Sequence, residues 1–336
     1  MTDGRRNEGV EAVSVAVMHM EVYYLVQQVY SQKPKVRSGF SFKRMFYSEK
    51  FAPYLFVSPF ILAFLIFFLY PTASTITMSF QEVQGLNSTK FIGLDNYRRM
   101  FDEHFFNALQ TNTIYTILSL MLLIPVPIIF AVFLNSKLIK GKTLFKSVIF
   151  IPALTSVIVA GVSFRLMFGE ADTALINSFI AKFGISPQNW VLNYGTGMML
   201  MVILNTWRVA GINMVYYLAG LQSIPEELYE SAEMDGANVF TKFYWITLPL
   251  LKPIIIYTLT IGIFEGYRMF GESYVFWNEG MPGDIGLTIV RFIYQQAFQR
   301  NDMGMGSAIG ITLLLIVLTV NLVQLKMFGL FKKEED

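Results

Sequence analysis

The chain has 336 residues, of which 54% are hydrophobic, with a formal net charge of +2 and a mean hydropathy of +0.48. This composition is too apolar for an ordinary soluble domain, and the near-neutral charge gives no indication of a nucleic-acid partner. The lack of cysteine excludes disulfides, thiolate metal sites and a cysteine nucleophile. Because the only histidines are His19 and His104, we expect no metal site and no catalytic centre in this chain.

The apolar residues are concentrated in six runs of about 20 to 28 residues, each long enough to cross a hydrocarbon core about 30 Å thick. Helices are expected because an open sheet edge in lipid leaves backbone polar groups unpaired. The sequence therefore predicts an all-α polytopic membrane protein with six transmembrane helices, at 53–80, 107–135, 145–169, 195–221, 246–270 and 306–330.

Three segments follow from this layout: a polar N-terminal tail (1–50), a transmembrane domain (51–331) and a short C-terminal tail (332–336). No secretory signal is expected, because the first apolar run begins after about 50 residues and is too long for a signal sequence. The sequence gives the tail no role beyond setting the orientation, and the true start of the protein within the first 44 residues stays open.

The distribution of lysine and arginine predicts the orientation in the membrane. If both termini, the 137–146 loop and the loop after span four are cytoplasmic, the cytoplasmic segments carry 16 basic residues and the opposite loops carry 6. Half of the 16 lie in the N-terminal tail. We therefore expect a multi-pass protein of the plasma or inner membrane with both termini in the cytoplasm.

Several spans contain helix-breaking residues. Pro125 and Pro127 in the second span and Pro152 in the third predict kinks or freed backbone groups. Before the second span, the string from Gly93 to Tyr97 predicts a turn that opens a helix at Asp95.

Between spans four and five, the segment 222–249 is polar and helix-prone. Ser223 and Glu226 have the spacing of an N-terminal capping box, and Gly236 stands where a left-handed C-terminal cap belongs. The predicted helix carries five acidic residues, with a single lysine, Lys242, after it. Because anionic lipid would repel such a helix, we expect it to dock on a partner outside the bilayer.

This segment also contains a spaced motif. Glu230-Ser231-Ala232 is followed after three residues by Gly236, and after nine more by Ile246-Thr247-Leu248-Pro249. The spacing resembles the EAA loop of membrane subunits in ATP-binding-cassette (ABC) importers, with Ser231 in place of the middle alanine. The resemblance implies a cytoplasmic coupling helix that docks on an ATPase subunit through Glu230, Ser231, Ala232, Asp235, Gly236, Ile246, Leu248 and Pro249.

In span four, Asn205-Thr206-Trp207 stands 20 residues before Pro225, as a similar N-T-W does in the maltose-importer permease. Together with the Gly93–Tyr97 string, this makes residues 50–330 resemble carbohydrate-importer permeases of the maltose and glycerol-phosphate branch. The resemblance and the cost of charge in lipid indicate a substrate path lined by Asn205, Trp207, Arg208, Val209, Ile212, Glu265, Gly266, Arg268 and Met269. The alternative for Asn205 is an interhelical hydrogen bond, and for the charged residues it is a structural salt-bridge network, with Glu265 and Arg268 pairing along one helix face.

The resemblance implies a second permease subunit, two cytoplasmic ATPase subunits, an extracytoplasmic solute-binding protein and a sugar substrate. ATP and magnesium are expected on the ATPase, because Gly141-Lys142-Thr143 lacks the first glycine of a phosphate-binding loop. The main alternative is an ion-coupled secondary transporter of a polar solute, and an intramembrane enzyme is the second. The sequence does not name the sugar or the partner subunits.

Overall fold

The computed structural model describes residues 20, 22–27, 51–84, 88–136, 139–277 and 282–329. The C-terminal tail and most of the N-terminal tail predicted above lie outside the described residues, so the predicted segment boundaries stay predictions. The chain divides into two compact units, Met1–Leu69 and Tyr70–Asp336.

In the first unit, α1 (Ala52–Phe64) continues into a π-helical turn (Leu65–Leu69), and none of these residues is buried. The second unit opens with α2 (Tyr70–Ser79). The whole stretch Ala52–Ser79 is apolar and long enough to cross a membrane, with a mean hydropathy of 2.3 over its most apolar window. It corresponds to the first predicted span.

A small hairpin and a short helix lead to the second span: β1 (Gln81–Gln84), β2 (Ser88–Phe91) and α3 (Asp95–Met100). The two strands are antiparallel, with Gln81 opposite Phe91. The buried Asn96 amide donates to the carbonyl oxygens of Ser79 and Gln81 at 3.0 and 2.9 Å. The predicted helix start at Asp95 is confirmed, and the string has a structural role.

The second span consists of α4 (Glu103–Leu123) and α5 (Pro125–Asn135), which follow one another without a sharp bend. Pro127 has no N–H to donate to the carbonyl oxygen of Leu123, four residues earlier. The Asn213 amide of span four donates to that oxygen at 3.2 Å. A neighbouring helix thus pairs the backbone group that the predicted proline break frees.

The third span is bent by 94°, between Lys142–Leu154 and Val157–Met167. Its parts are α6 (Lys142–Phe150), a 3₁₀ turn (Ile151–Leu154) that contains Pro152, and α7 (Val157–Met167). The proline explains the break predicted there. A short helix, α8 (Leu175–Ala181), follows in the next loop.

Span four is one long helix, α9 (Tyr194–Gln222). The segment after it forms α10 (Glu226–Met234), α11 (Val239–Lys242), a π-helical turn (Phe243–Thr247) and α12 (Leu248–Leu250). Span five is α13 (Lys252–Tyr267), followed by α14 (Gly271–Phe276). A 64° bend separates Val239–Leu250 from Lys252–Phe276.

The last described elements are a 3₁₀ turn (Pro282–Asp284), α15 (Ile289–Tyr294), a π-helical turn (Gln295–Gln299) and α16 (Met303–Met327), which is the sixth span. Within the described residues, four helices are long and apolar enough to cross a membrane, and the two bent pairs raise the number to six. The predicted all-α, six-span fold class is confirmed. The break in span three lies at its predicted proline, whereas the 64° bend at the start of span five was not predicted.

Candidate coupling helix and translocation face

Helix α10 stands between spans four and five, and none of its residues is buried. Glu230 and Ser231 are exposed and Ala232 is half-buried, while Asp235 and Gly236 beyond the helix end are also exposed. The predicted coupling residues of α10 therefore form an open surface that this chain does not cover. A helix without a buried face needs support at its ends or from a partner.

The start of α10 differs from the prediction. Ser223 ends α9, and its hydroxyl donates to the carbonyl oxygen of Gly220 at 2.7 Å. The N-cap of α10 is Pro225, which makes no side-chain cap. The capping box was therefore wrong: Ser223 is already bonded to the preceding helix, and Pro225 biases Ile224 away from continuing that helix.

The end of α10 agrees with the prediction. Gly236 has a left-handed backbone, with φ of +78°. Its N–H donates to the carbonyl oxygen of Glu233 at 3.0 Å, and the N–H of Ala237 donates to that of Ala232 at 2.9 Å. This is the Schellman pattern. Asn238 then caps α11 by accepting from the Thr241 N–H at 2.9 Å.

Two side-chain contacts tie α10 to the entry of span five. The hydroxyl groups of Tyr229 and Thr247 are 2.9 Å apart, and Thr247 is buried. The Lys242 ammonium donates to the Glu233 carboxylate at 2.5 Å. One contact lies in the middle of α10 and the other near its end, so both connect α10 to the segment that leads into span five.

The last part of the motif forms the elbow that leads into span five. Ile246 and Leu248 are half-buried and Pro249 is exposed. The next residue but one, Leu251, is fully buried in a core cluster that also holds Met214 and Leu221 of span four. The elbow thus rests on span four as well as on span five.

One predicted charge in span four has a partner in the structure. Arg208 pairs with Glu272 of α14, with Nη1 3.3 Å from Oε1, and the two side chains are 20% and 9% exposed. Sequence reasoning missed Glu272, because the predicted fifth span ended at residue 270. The cost of placing charge in lipid, applied to residues 271–277, would have found it.

The charged pair predicted in span five is confirmed. Arg268 Nη1 lies 3.3 Å from Glu265 Oε1, and the side chains are 65% and 58% exposed. An exposed ion pair on a membrane-spanning helix needs water or another protein against it, since lipid would leave it unsolvated. Neither side chain is covered by the described part of this chain.

The other predicted path residues divide into open and packed positions. Asn205, Val209 and Ile212 are half-buried, and Trp207 is 45% exposed with its ring 6.0 Å from that of Phe164. The remaining two are covered within this chain: Gly266 packs against Thr116, and Met269 is part of a buried cluster. Their roles in substrate transfer stay predictions.

Two buried polar residues that sequence reasoning did not single out contact the C-terminal part of span five and the helix after it. The Asn112 amide donates to the carbonyl oxygen of Gly266 and accepts from the N–H of Ile289, both at 2.8 Å. The Arg291 guanidinium donates to the carbonyl oxygens of Ser273, within α14, and of Trp277, directly after it. A buried amide and a buried arginine outside the motifs gave no signal in the sequence alone.

Within the described residues, no group of three histidine, cysteine or carboxylate side chains is placed to hold a metal ion.

Residues 105–327 match the family model described as "Binding-protein-dependent transport system inner membrane component". The chain belongs to this family. It is therefore the membrane component of a binding-protein-dependent transport system.

Curated relatives agree. The chain is 54% identical over 301 residues to the arabinooligosaccharides transport system permease protein AraP of Bacillus subtilis. The matched region covers 90% of this chain and 96% of that protein. It is 31% identical over 291 residues to the trehalose/maltose transport system permease protein MalF of Thermococcus litoralis, covering 85% and 99%.

A solved bacterial alginate ABC transporter, in complex with an alginate pentasaccharide-bound periplasmic protein, contains a chain of the same fold. The TM-score is 0.76 at 24% identity, over 86% of this chain and 99% of that one. At 24% identity, this structural similarity supports the fold of the present chain and nothing beyond the fold.

Proposed function

We propose that this chain is one of two permease subunits of an ABC importer and that it carries an oligosaccharide by alternating access. Arabinose-containing oligosaccharides are the first candidate substrate, because the AraP relative is 54% identical over nearly its whole length. The observation that carries the proposal is α10, a capped helix with no buried residue that is tethered to span five.

The acidic, uncovered surface of α10 suits a groove on a cytoplasmic ATPase subunit. Two such subunits hold ATP and magnesium, and their closure pushes α10. The Tyr229–Thr247 and Glu233–Lys242 contacts then pass the displacement to the elbow and to span five. This chain itself performs no catalysis in the proposed cycle.

The substrate path is proposed along the face of spans four and five that carries Asn205, Arg208, Glu265 and Arg268. Their amide, guanidinium and carboxylate groups match the hydroxyl groups of a sugar, which need directional partners once water is removed. The exposed Glu265–Arg268 pair supports a second permease subunit or a wet path against this face, since neither residue is covered by this chain. An extracytoplasmic solute-binding protein delivers the sugar.

The orientation follows from the coupling role. The ATPases are cytoplasmic, so α10 and, after an even number of spans, both termini lie in the cytoplasm. The basic tail agrees with this side of an inner or plasma membrane.

The test is uptake of labelled arabinotriose by proteoliposomes that hold the whole importer, with maltotriose as the comparison sugar. We expect uptake that requires binding protein and ATP and that stops when the ATPase subunits carry a mutation that blocks hydrolysis. Uptake that persists without ATP and follows an ion gradient would refute the ABC-importer proposal in favour of a secondary transporter. ATP-driven uptake of maltotriose but not arabinotriose would refute only the substrate.

A further inference from the structure

Two tyrosines meet where spans four and five approach α10. Tyr216 of α9 and Tyr257 of α13 have ring centroids 5.4 Å apart and planes at 87°, an edge-to-face arrangement. Their side chains remain 41% and 49% exposed. They border an open cavity of about 420 Å³, whose lining includes Gly220, Ser223 and Ile254.

On span five, Tyr257 shares a face with the charged pair. An α-helix turns about 100° per residue, so Tyr257 lies about 20° from Arg268 and about 80° from Glu265. All three side chains are exposed. Under the proposed function this face borders the translocation path, because lipid disfavours an exposed ion pair. Tyr257 then lies on the same path, about 12 Å nearer α10 than Glu265.

Span four has the same arrangement, except that its tyrosine follows the polar residues in the chain instead of preceding them. Tyr216 follows Asn205 by eleven residues and Arg208 by eight, the same separations that span five shows, and it therefore shares their face. On each helix the tyrosine thus lies about 12 to 17 Å nearer α10 than the polar groups. The two tyrosine rings contact one another, and the polar side chains of the two helices are not part of this ring pair.

The contact is held by the packing beneath it. The neighbouring residues Tyr217 and Thr258 form a buried hydrogen bond of 2.5 Å between their hydroxyl oxygens, which fixes the two helices in axial rotation. Gly220 has no side chain, so the Ile254 side chain packs directly on its backbone. The helices are therefore close, and the two exposed rings can turn aside without breaking a backbone hydrogen bond.

We propose that Tyr216 and Tyr257 form an aromatic gate at the inner end of the translocation path and that their rings contact the saccharide as it leaves. This inference rests on the proposed function. A tyrosine ring suits a sugar because its apolar face packs on the C–H face of a pyranose or furanose ring while its hydroxyl bonds a sugar hydroxyl. A gate made of two such rings closes against itself when no sugar is present.

The first test uses single variants of the complete importer in proteoliposomes, with labelled arabinotriose as the probe. Tyr216→Ala and Tyr257→Ala remove the ring, and we expect uptake per ATP hydrolysed to fall about three- to tenfold through loss of one aromatic contact. Tyr216→Phe and Tyr257→Phe keep the ring and should fall less. Tyr54→Ala, at an exposed tyrosine of the first span, is the matched control and should not change.

The second test closes the gate covalently. The chain has no cysteine, so the double variant Tyr216→Cys, Tyr257→Cys can be cross-linked specifically with a short bis-methanethiosulfonate reagent. We expect cross-linking to stop uptake, reductant to restore it, and either single cysteine variant to be insensitive to the reagent.

The gate is refuted if the cross-linked importer still transports arabinotriose, or if both alanine variants keep wild-type uptake per ATP. If the double cysteine variant is inactive before cross-linking, the alanine and phenylalanine series decides between these results. If the wild-type importer shows no ATP-driven uptake, the proposed function itself is wrong. This outcome differs from refutation of the gate, in which the wild-type importer transports and the variants behave like it.

Discussion

Replacement of Gly236 by valine tests whether the α10 cap couples ATP hydrolysis to transport. Gly236 has φ of +78°, and nothing lies within 4 Å of the position that a Cβ would take. The cost of a side chain is therefore backbone strain alone, about 1–2 kcal/mol for an L-residue in the left-handed region, and a β-branched residue stands at the upper end. That energy corresponds to a factor of about 5 to 30 in the population of the capped conformation.

When the cap opens, the carbonyl oxygens of Ala232 and Glu233 lose the N–H groups that Gly236 and Ala237 donate. The end of α10 then frays beside Glu233, which also holds Lys242. We expect Gly236→Val to lower arabinotriose uptake about 5- to 30-fold, while the protein still assembles in the membrane. Gly236→Asn should stay near wild type, because asparagine tolerates this conformation.

The assay measures uptake and binding-protein-stimulated ATPase activity in the same proteoliposomes. The matched control is Gly184→Val, because Gly184 has φ of +74°, also has nothing within 4 Å of its Cβ position, and lies in the loop before span four. If Gly236→Val transports at wild-type rates, or if Gly184→Val is impaired equally, the reasoning that the α10 cap couples the two activities is wrong.

Three further predictions follow from the path and the topology. Glu272→Gln leaves Arg208 without its charge partner, so we expect it to destabilise the folded protein by about 3 kcal/mol and to lower the melting temperature in detergent. The additional change Arg208→Met should recover part of that loss. An unchanged melting temperature for Glu272→Gln argues against the pair. Asn205→Ala should reduce arabinotriose uptake while basal ATPase activity and assembly persist, because the sugar loses a hydrogen-bond partner; normal uptake would move the site elsewhere. Lys182 and Lys140 are exposed and lie in loops on opposite sides of the predicted bilayer. We expect Lys182→Cys to react with an impermeant thiol reagent in intact cells and Lys140→Cys not to react. The reverse result would invert the topology.

The agreement between sequence and structure is closest where a local property decides. The left-handed cap at Gly236, the pairing of Glu265 with Arg268 and the helix start at Asp95 all depend on residues within one or two turns of each other. The break near Pro152 and the carbonyl oxygen freed by Pro127 belong to the same group, because proline removes a hydrogen bond within its own helix. Each was predictable from the residue and its neighbours.

The differences arise where a group has more than one possible partner. Ser223 had the right spacing to cap α10, yet its hydroxyl bonds Gly220 in the preceding helix. Arg208 had no visible partner in the sequence, and Glu272 lies 64 residues away on a helix beyond the predicted span. Spacing within one segment carries no information on such a choice.

The sequence by itself determined that the chain spans a membrane with six helices and carries a polar motif between spans four and five, because hydrophobicity, proline and glycine act locally. Only the tertiary structure decided which faces of those helices meet. It turned Gly266 and Met269 inward, left Glu265 and Arg268 open, and brought Tyr216 against Tyr257. The physical reason is that the rotation and contact of two helices depend on packing between residues far apart in the chain, such as Gly220 with Ile254 and Tyr217 with Thr258.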